Sequence, residues 1–411
     1  MSTAMVRESE HEEEMVERIE PIHVSDVSLE SFLKAAVSLK NKVVDATWTM
    51  RKDALVDPTA YTGLLGTAMV CLRSYEATGC SGDLNLCAEI ADTCTVVARN
   101  CNRDLTFLCG RAGVYALGAV VANYRDDQAR RDLFLDLFFE AASDPALPVG
   151  PEDGGFGMPY ELLHGRAGFL YAALFINQYL GPHTIPDQIL NPIINAVLAG
   201  GRAGSSVNSD CPLMYRWHGT RYMGAAHGLA GVLHVLLQFR LERKEDAEDV
   251  KEAIRYLIRS RFGQSGNYPL SEGNRRDWLV QWSHGAGGVG IMLCKAAQVF
   301  PSDREFRNAA IEAGEVVWKR GLNHKLSLSD GISGNTYTFL SLYNLTKEQI
   351  YLERAKAFCE FLYHNAEKLM ASSPINDVES KYSLFQGLGG VACLWFDLIS
   401  PENARFPGFE L

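Results

Sequence analysis

Side chains that can do chemistry recur at one position of a repeated motif in this sequence. Each copy ends in a Gly-x-x-Gly turn, and seven such turns occur along the chain. The residues just before the first glycine of each turn are Thr62, Cys109, His164, His227, His284, Asp330 and Gln386. Since repeated units place equivalent residues at equivalent points of a fold, we expect these side chains to line one ring.

Three members of this ring come from adjacent copies of the motif: His227, His284 and Asp330. Imidazole nitrogens and a carboxylate are ligands that zinc and other transition metals accept. Two interpretations of the three residues stay open. They could form a metal site, or they could be hydrogen-bonded side chains of a polar cavity.

The segments between the turns predict the elements that position this ring. Successive first glycines lie 46 to 63 residues apart, which is room for two helices and two loops. An apolar run such as Phe169–Leu180 follows each turn and predicts a buried helix. A charged segment such as Asp249–Ile258 precedes the next turn, and its apolar residues recur at helical spacing. That pattern predicts an outer helix with an apolar inner face.

Seven helices of each kind predict an all-α fold, a seven-fold (α/α) double-layered barrel or toroid with an inner and an outer ring of seven helices. Because stacked units share one core, we expect a single domain over residues 28–411. Residues 1–27 contain the acidic cluster Glu8–Glu13 and are predicted to be a flexible tail. Insertions at Asp144–Tyr160, Ala199–Trp217 and Gln264–Asp277 could roof the rim that carries the ring.

The composition excludes several classes of function. A net charge of −11 argues against a nucleic-acid surface. The ten cysteines are diluted over a long chain without a leader, which favours reduced thiols and a cytoplasmic location. Met223–Phe239 has 17 residues without Lys, Arg, Asp or Glu, but it falls short of the ~20 apolar residues of a span. We therefore expect no transmembrane segment.

From about Tyr61 onward the chain resembles the LanC-like (lanthionine synthetase C-like) proteins. Motifs that carry this resemblance include Tyr61-Thr-Gly-Leu-Leu-Gly, Gly224-Ala-Ala-His-Gly-Leu-Ala-Gly, Tyr382-Ser-Leu-Phe-Gln-Gly and Ala404-Arg-Phe-Pro-Gly-Phe-Glu-Leu. The resemblance implies the same seven-fold barrel. It also implies zinc and glutathione binding, and addition of a thiol to dehydrated Ser or Thr in peptides. Some plant members are linked to abscisic acid signalling, and the resemblance leaves room for peripheral contact with the plasma membrane.

The sequence departs from the family pattern at the zinc ligands. The family uses a Cys of the fifth unit and a Cys-His pair of the sixth, where this chain has Ser283, Ser329 and Asp330. A Ser hydroxyl is a neutral, hard oxygen, whereas zinc prefers thiolate sulfur or imidazole nitrogen. We therefore expect no metal at that position and no bound cofactor, and we expect zinc activation of a thiol to be lost.

Two further residues carry family roles by resemblance. His227 matches the histidine proposed as the family's acid or base, which would protonate an enolate. Lys325 lies where the family contacts glutathione, although the acidic Asp377 and Glu379 nearby would repel that tripeptide.

Three hypotheses about the function follow from these residues. The first is a non-catalytic or weakly active module that binds a peptide, a small thiol such as glutathione, or a signalling protein. The second is a glutathione-dependent enzyme with a metal relocated to His227, His284 and Asp330. The third is a structural scaffold with a filled centre.

Overall fold

The inner helices form where small and apolar residues leave no polar face. In the computed structural model, which describes residues 27–50, 57–100, 104–149, 158–205, 210–375 and 377–411, every residue from Ala112 to Ala122 is buried. The seven inner helices are α2 Leu64–Thr78, α4 Arg111–Tyr124, α6 Arg166–Leu180, α8 Leu229–Leu236, α10 Ala286–Val299, α12 Ile332–Thr346 and α15 Leu388–Asp397.

The outer helices bury only one side. In Lys244–Arg259 the buried apolar residues Val250, Ala253, Ile254 and Leu257 are three or four residues apart, as expected for one helix face. The outer helices are α1 Leu29–Val44, α3 Ser81–Ala98, α5 Gln128–Ala142, α7 Asp187–Gly204, α9 Lys244–Arg259, α11 Arg304–Arg320 and α13 Gln349–Ala371. A five-residue helix, α14 Val378–Tyr382, precedes the last turn.

The inner helices contact one another in chain order, and α15 contacts α2 to close the ring. Each outer helix packs on an inner one, and α1 packs on α15, so segments from the two ends of the sequence complete one unit. Within the described residues the only extended pairings are two isolated bridges. The predicted all-α double ring of seven plus seven helices is confirmed. None of the described helices is both long and apolar enough to cross a membrane.

The second glycine of each turn is required by a close approach of backbone. A Cβ at Gly113, Gly168, Gly231, Gly288 or Gly334 would collide with the carbonyl oxygen six residues earlier. The loop before each inner helix therefore folds back onto the first turn of that helix. Gly285 in addition has φ 95°, a backbone conformation that residues other than glycine rarely adopt. The glycines thus allow each rim loop to pack directly against the start of its inner helix.

The axis of the barrel is filled by the segment Ala404–Leu411, which we call the plug. Phe406 and Phe409 have no exposed surface. Phe406 stacks on Trp282 with ring centroids 4.9 Å apart, and Phe409 stacks on His234 at 4.0 Å. The aromatic rings of the plug therefore pack against the loops and inner helices directly below the rim.

The remaining expectations on boundaries have mixed outcomes. Residues 1–26 of the predicted tail and residues 150–157 of the first insertion lie outside the described residues. The second insertion begins later than expected, because α7 continues to Gly204. Gly200 and Gly201 allow this by lying against the rings of Tyr160 and Tyr215. The single-domain boundary at residue 28 stays a prediction.

Candidate functional site

The seven residues before the first glycines do form a ring at one rim. All of them are partly exposed, and six of the seven lie between buried neighbours. Each occupies the loop that leads into the N-terminus of an inner helix. The rim therefore presents one side chain per unit to the solvent above a packed core. We call these seven side chains the rim ring: Thr62, Cys109, His164, His227, His284, Asp330 and Gln386.

Hydrogen bonds tie each loop to the next one and hold the rim ring rigid. The backbone bonds between neighbouring loops run from Tyr61 N to Leu108 O, Phe107 N to Gly168 O, Ala226 N to Ser283 O, Ser283 N to Ser329 O, Ser329 N to Phe385 O and Phe385 N to Tyr61 O. Between the third and fourth loops, a bond between the side chains of His227 and Glu161 takes this place. The loops form a closed belt, so a change in one loop is felt by its neighbours.

Of the residues at the family's zinc position, Ser283 and Ser329 lie below the rim ring and Asp330 belongs to it, and hydrogen bonds join the three. Ser283 and Ser329 are only 4% and 2% exposed. The Ser283 Oγ donates to Asp330 Oδ1 at 2.5 Å, and the backbone N–H of Asp330 donates to Ser327 Oγ at 3.1 Å. Two neutral hydroxyls and one carboxylate already engaged by one of them do not fit a zinc ion. We derive no step through zinc for this chain.

His227 is held in one orientation by a buried carboxylate. Its Nδ1 lies 3.0 Å from Glu161 Oε2, and Glu161 is 2% exposed. The same carboxylate accepts backbone N–H groups of Leu163 at 2.7 Å and His164 at 2.6 Å. Because Nδ1 is engaged, Nε2 is the nitrogen left to exchange a proton with a ligand. This geometry is suited to the acid or base role that the resemblance implies.

His164 has a similar carboxylate partner. Its Nδ1 lies 3.4 Å from Asp104 Oδ2. Burial disfavours its charged form, but the bond to Asp104 and the charge of Glu161 outweigh burial, and the pKa of His164 is raised above its usual value. The third and fourth units therefore each offer an oriented imidazole to the rim.

His284 is set apart from those two histidines. Burial lowers its pKa to about 4, against the charge of Asp330, so its imidazole is neutral near pH 7. The ring of Tyr222 lies 6.2 Å from that of His227 and 5.8 Å from that of His284. In the described part of the chain, no three His, Cys, Asp or Glu side chains are grouped to hold a metal ion. His227, His284 and Asp330 thus line the rim together without forming a ligand group.

Cys109 and Lys325 complete the list of candidates. Burial and the carboxylates of Glu161, Asp104 and Asp57 raise the pKa of the Cys109 thiol well above its usual value, so it is not a ready nucleophile. Lys325 is exposed on the sixth loop, where its carbonyl oxygen accepts a bond from Ile332 N at 2.8 Å. Its contact with glutathione stays a prediction.

Sequence reasoning missed four residues of this site: Asp104, Glu161, Trp217 and Tyr222. A repeat signal could have found the first, because Asp57 and Asp104 both stand six residues before a first glycine. Glu161 stands three residues before His164, a spacing at which a carboxylate can accept the N–H groups of its own loop. Trp217 lies in an insertion and has no such signal.

The fold and the rim together define an all-helical toroid with a ring of polar side chains at one mouth. The family model described as "Lanthionine synthetase C-like protein" matches residues 54–411, and the chain belongs to this family. LanC-like protein GCL1 of Arabidopsis thaliana is 59% identical over 389 residues, covering 93% of this chain and 89% of that protein. Glutathione S-transferase LANCL1 of Danio rerio is 35% identical over 362 residues, covering 86% and 85%.

The fold has a counterpart of known structure. Nisin cyclase superimposes with a TM-score of 0.63 at 15% sequence identity, over 89% of this chain and 94% of the other. At this identity the likeness concerns the course of the helices. The residues of the rim have to be interpreted from this chain itself.

Proposed function

We propose that this protein is a binding member of its family, whose rim takes up a peptide or a small thiol without activating the thiol on zinc. The observation that carries the proposal is the bond from Ser283 Oγ to Asp330 Oδ1 at 2.5 Å. It engages one oxygen of the only carboxylate in the set with a neutral donor. A site of this kind can orient a bound partner, and a role in signalling through such a partner belongs to the same proposal.

The chemistry of thiols supports this choice. Addition to a dehydrated residue needs a thiolate, and a free thiol with a pKa near ~8.5 is mostly protonated at neutral pH. A zinc ion would remove that proton, but this donor set does not fit zinc. Burial and the carboxylates near Cys109 act in the opposite direction, since both raise the pKa of that thiol. A bound thiol in that part of the rim therefore stays protonated.

A second candidate function is slow addition of glutathione to a dehydrated peptide. The pairing of His227 with Glu161 at 3.0 Å favours it, because a proton donor for the product carbanion is in place. The Danio rerio relative carries the name of a glutathione transferase. The two candidates differ in one respect, which is whether the native protein turns over.

Restoring the soft ligands should restore zinc binding. We expect the triple variant Ser283→Cys, Ser329→Cys, Asp330→His to bind about one zinc per chain, because it supplies two thiolates and an imidazole. The native protein should bind far less. Elemental analysis after dialysis measures the metal, and addition of glutathione to a dehydroalanine peptide measures the activity.

A matched control carries two added thiols elsewhere, at the exposed positions Ser302→Cys and Ser372→Cys. It should gain neither zinc nor activity. Stoichiometric zinc in the native protein, together with chelator-sensitive addition of glutathione, would overturn the binding proposal in favour of the enzyme. Absence of binding of both peptides and glutathione to the native protein would overturn both candidates.

A further inference from the structure

Five aromatic rings form one connected set at the rim. His164, Trp217 and His227 have ring planes parallel within 7°, and their centroids form a triangle with sides of 5.4, 5.2 and 6.3 Å. Tyr222 extends the set from His227 at 6.2 Å, and His284 lies 5.8 Å from Tyr222. All five side chains are partly exposed. We call this set the ring row.

Backbone pairing holds in place Trp217, at the end of the second insertion, and Tyr222, which follows it. Trp217 and Thr220 exchange two backbone hydrogen bonds of 2.9 Å, which closes a tight turn. Tyr222 pairs with Ser271 of the next insertion, and Arg221 bonds to Glu272 at 2.7 Å. The ring row is therefore preorganised, and a ligand need not pay the full entropy of ordering it.

Negative charge surrounds the ring row. Asp104 is 34% exposed beside His164, and within the described residues its carboxylate approaches His164 Nδ1 at 3.4 Å. Next to burial, the charges of Asp57, Asp104 and Glu161 raise the pKa of Cys109. At the other end of the set, the charge of Asp330 acts on His284 and opposes the lowering of its pKa. Carboxylates this close to partly buried rings favour cations over anions.

Basic residues on the same face do not cancel this charge. Arg221 forms an ion pair with Glu272, and the positive charge of Arg216 also lowers the pKa of Glu272. Lys325 is exposed on the sixth loop, whereas the ring row extends from the third to the fifth. The carboxylates in contact with the parallel rings are Asp104, 3.4 Å from His164 Nδ1, and Glu161, 3.0 Å from His227 Nδ1.

One buried nitrogen at the end of the row also lacks a partner. Nδ1 of His284 is shielded from solvent and has no hydrogen-bond partner in the described part of the chain. A buried polar atom without a partner is destabilising, so a ligand group that reaches it and supplies the bond gains affinity there. An N–H-rich group can donate to an imidazole nitrogen that is neutral, and it can stack on aromatic faces at the same time.

We propose that the ring row is a binding site for the arginine-bearing segment of a peptide. The guanidinium is flat, carries five N–H donors and stacks on aromatic rings, and it pairs with carboxylates in a way that ammonium does not. The inference rests on the proposed function, since it names the class of peptide that the rim takes. It also disfavours glutathione, whose carboxylates would meet Asp104 and Glu161.

Calorimetric titration with matched peptides tests this inference. We use blocked hexapeptides that differ only in two positions, which hold arginine, lysine, glutamine or glutamate, and glutathione as a fifth probe. The arginine peptide should bind about tenfold more tightly than the glutamine peptide, with the lysine peptide between them. The glutamate peptide should bind most weakly of the four. Affinity for the arginine peptide should fall as salt is added.

Three variants locate the effect. Trp217→Leu should weaken binding of the arginine peptide about tenfold, and Asp104→Asn should weaken it severalfold while leaving the glutamine peptide unchanged. Glu402→Gln, an exposed site in the short turn that follows the last inner helix, is the control and should bind like the native protein. Circular dichroism and thermal unfolding establish that each variant is folded.

The outcomes separate this inference from the proposed function. Equal binding of all four peptides, or preference for glutamate or glutathione, would refute the arginine site and leave the proposed binding function intact. Unchanged affinity in both Trp217→Leu and Asp104→Asn would place the peptide elsewhere and refute it as well. If none of the five probes binds, both proposals fail together.

Discussion

Truncating Phe406 to alanine should lower the free energy of unfolding by about 3–5 kcal/mol, the usual cost of removing a buried phenylalanine ring. Phe406 has no exposed surface and lies at the centre of the plug. Its ring centroid is 4.9 Å from that of Trp282, 5.1 Å from Tyr337 and 5.9 Å from Phe385. These three neighbours come from the fifth, sixth and seventh units, so one side chain joins three parts of the barrel.

The loss of unfolding free energy should exceed the value expected from the buried apolar area alone, because the cavity left by the ring cannot collapse. The surrounding rings are fixed by the loops of the rim and by the inner helices, and a rigid wall leaves the void open. Urea unfolding followed by circular dichroism at pH 6 measures the change. Trp278→Ala is the matched control, since it removes a larger ring that is 52% exposed, and it should cost less than about 1 kcal/mol.

If the plug were a loosely attached segment, Phe406→Ala would cost no more than this control. The rim would then be expected to keep its geometry without the plug. A large loss accompanied by weaker peptide binding would instead indicate that Trp282 transmits the packing of the plug to the fifth loop. Trp282 is two residues before His284, and the backbone of Ser283 belongs to the belt of loops.

The repeat in the sequence predicts the fold because each of its glycines is required by the backbone around that glycine. A Cβ at Gly288 would strike the Trp282 carbonyl oxygen, and equivalent clashes occur at most other turns, so glycine at this spacing marks the start of an inner helix. Periodicity likewise predicts the outer helices. The plug has no period, and its motif fixes no location, since only the assembled barrel provides the walls against which Phe406 and Phe409 pack.

The candidate site is predictable to the extent that it follows the repeat. The positions of His164, His227 and His284 follow from counting residues before each first glycine. Their partners do not, because Asp104 reaches the histidine of the next unit and Trp217 stands in an insertion. Contacts between units depend on the curvature of the ring, which no single motif encodes.

The plug also contains an acid whose environment favours its neutral form. Burial raises the pKa of Glu410 from 4.5 to about 7, although bonds from Phe406 N–H and Ser341 oppose the shift. Burial likewise raises the pKa of Asp397 from 3.8 to about 6, against the attraction of Arg73. Lys295 of α10 is half-buried, and its positive charge opposes the rise in the pKa of Glu410. In this interior a proton on Glu410 removes a charge that is otherwise poorly solvated.

The native protein should therefore lose stability as pH rises. Above pH 4.5 the unfolded chain releases the Glu410 proton while the folded state retains it until about pH 7. The folded state binds more protons across this window, so the free energy of unfolding falls, by up to about 3 kcal/mol from this group. The contribution of Asp397 has the same sign and lies between pH 3.8 and about 6.

Glu410→Gln should remove most of that dependence above pH 5. Glutamine has the shape of the neutral acid and can keep bonds to Ser341 Oγ and to the N–H of Phe406, which now lie at 2.7 and 3.0 Å. We expect the variant to match the native protein near pH 5 and to exceed it by about 2–3 kcal/mol at pH 8 in urea unfolding. Glu402→Gln, an exposed change, should retain the native slope. A native-like slope in Glu410→Gln would mean that Glu410 is ionised in the folded barrel and that Lys295 compensates its charge.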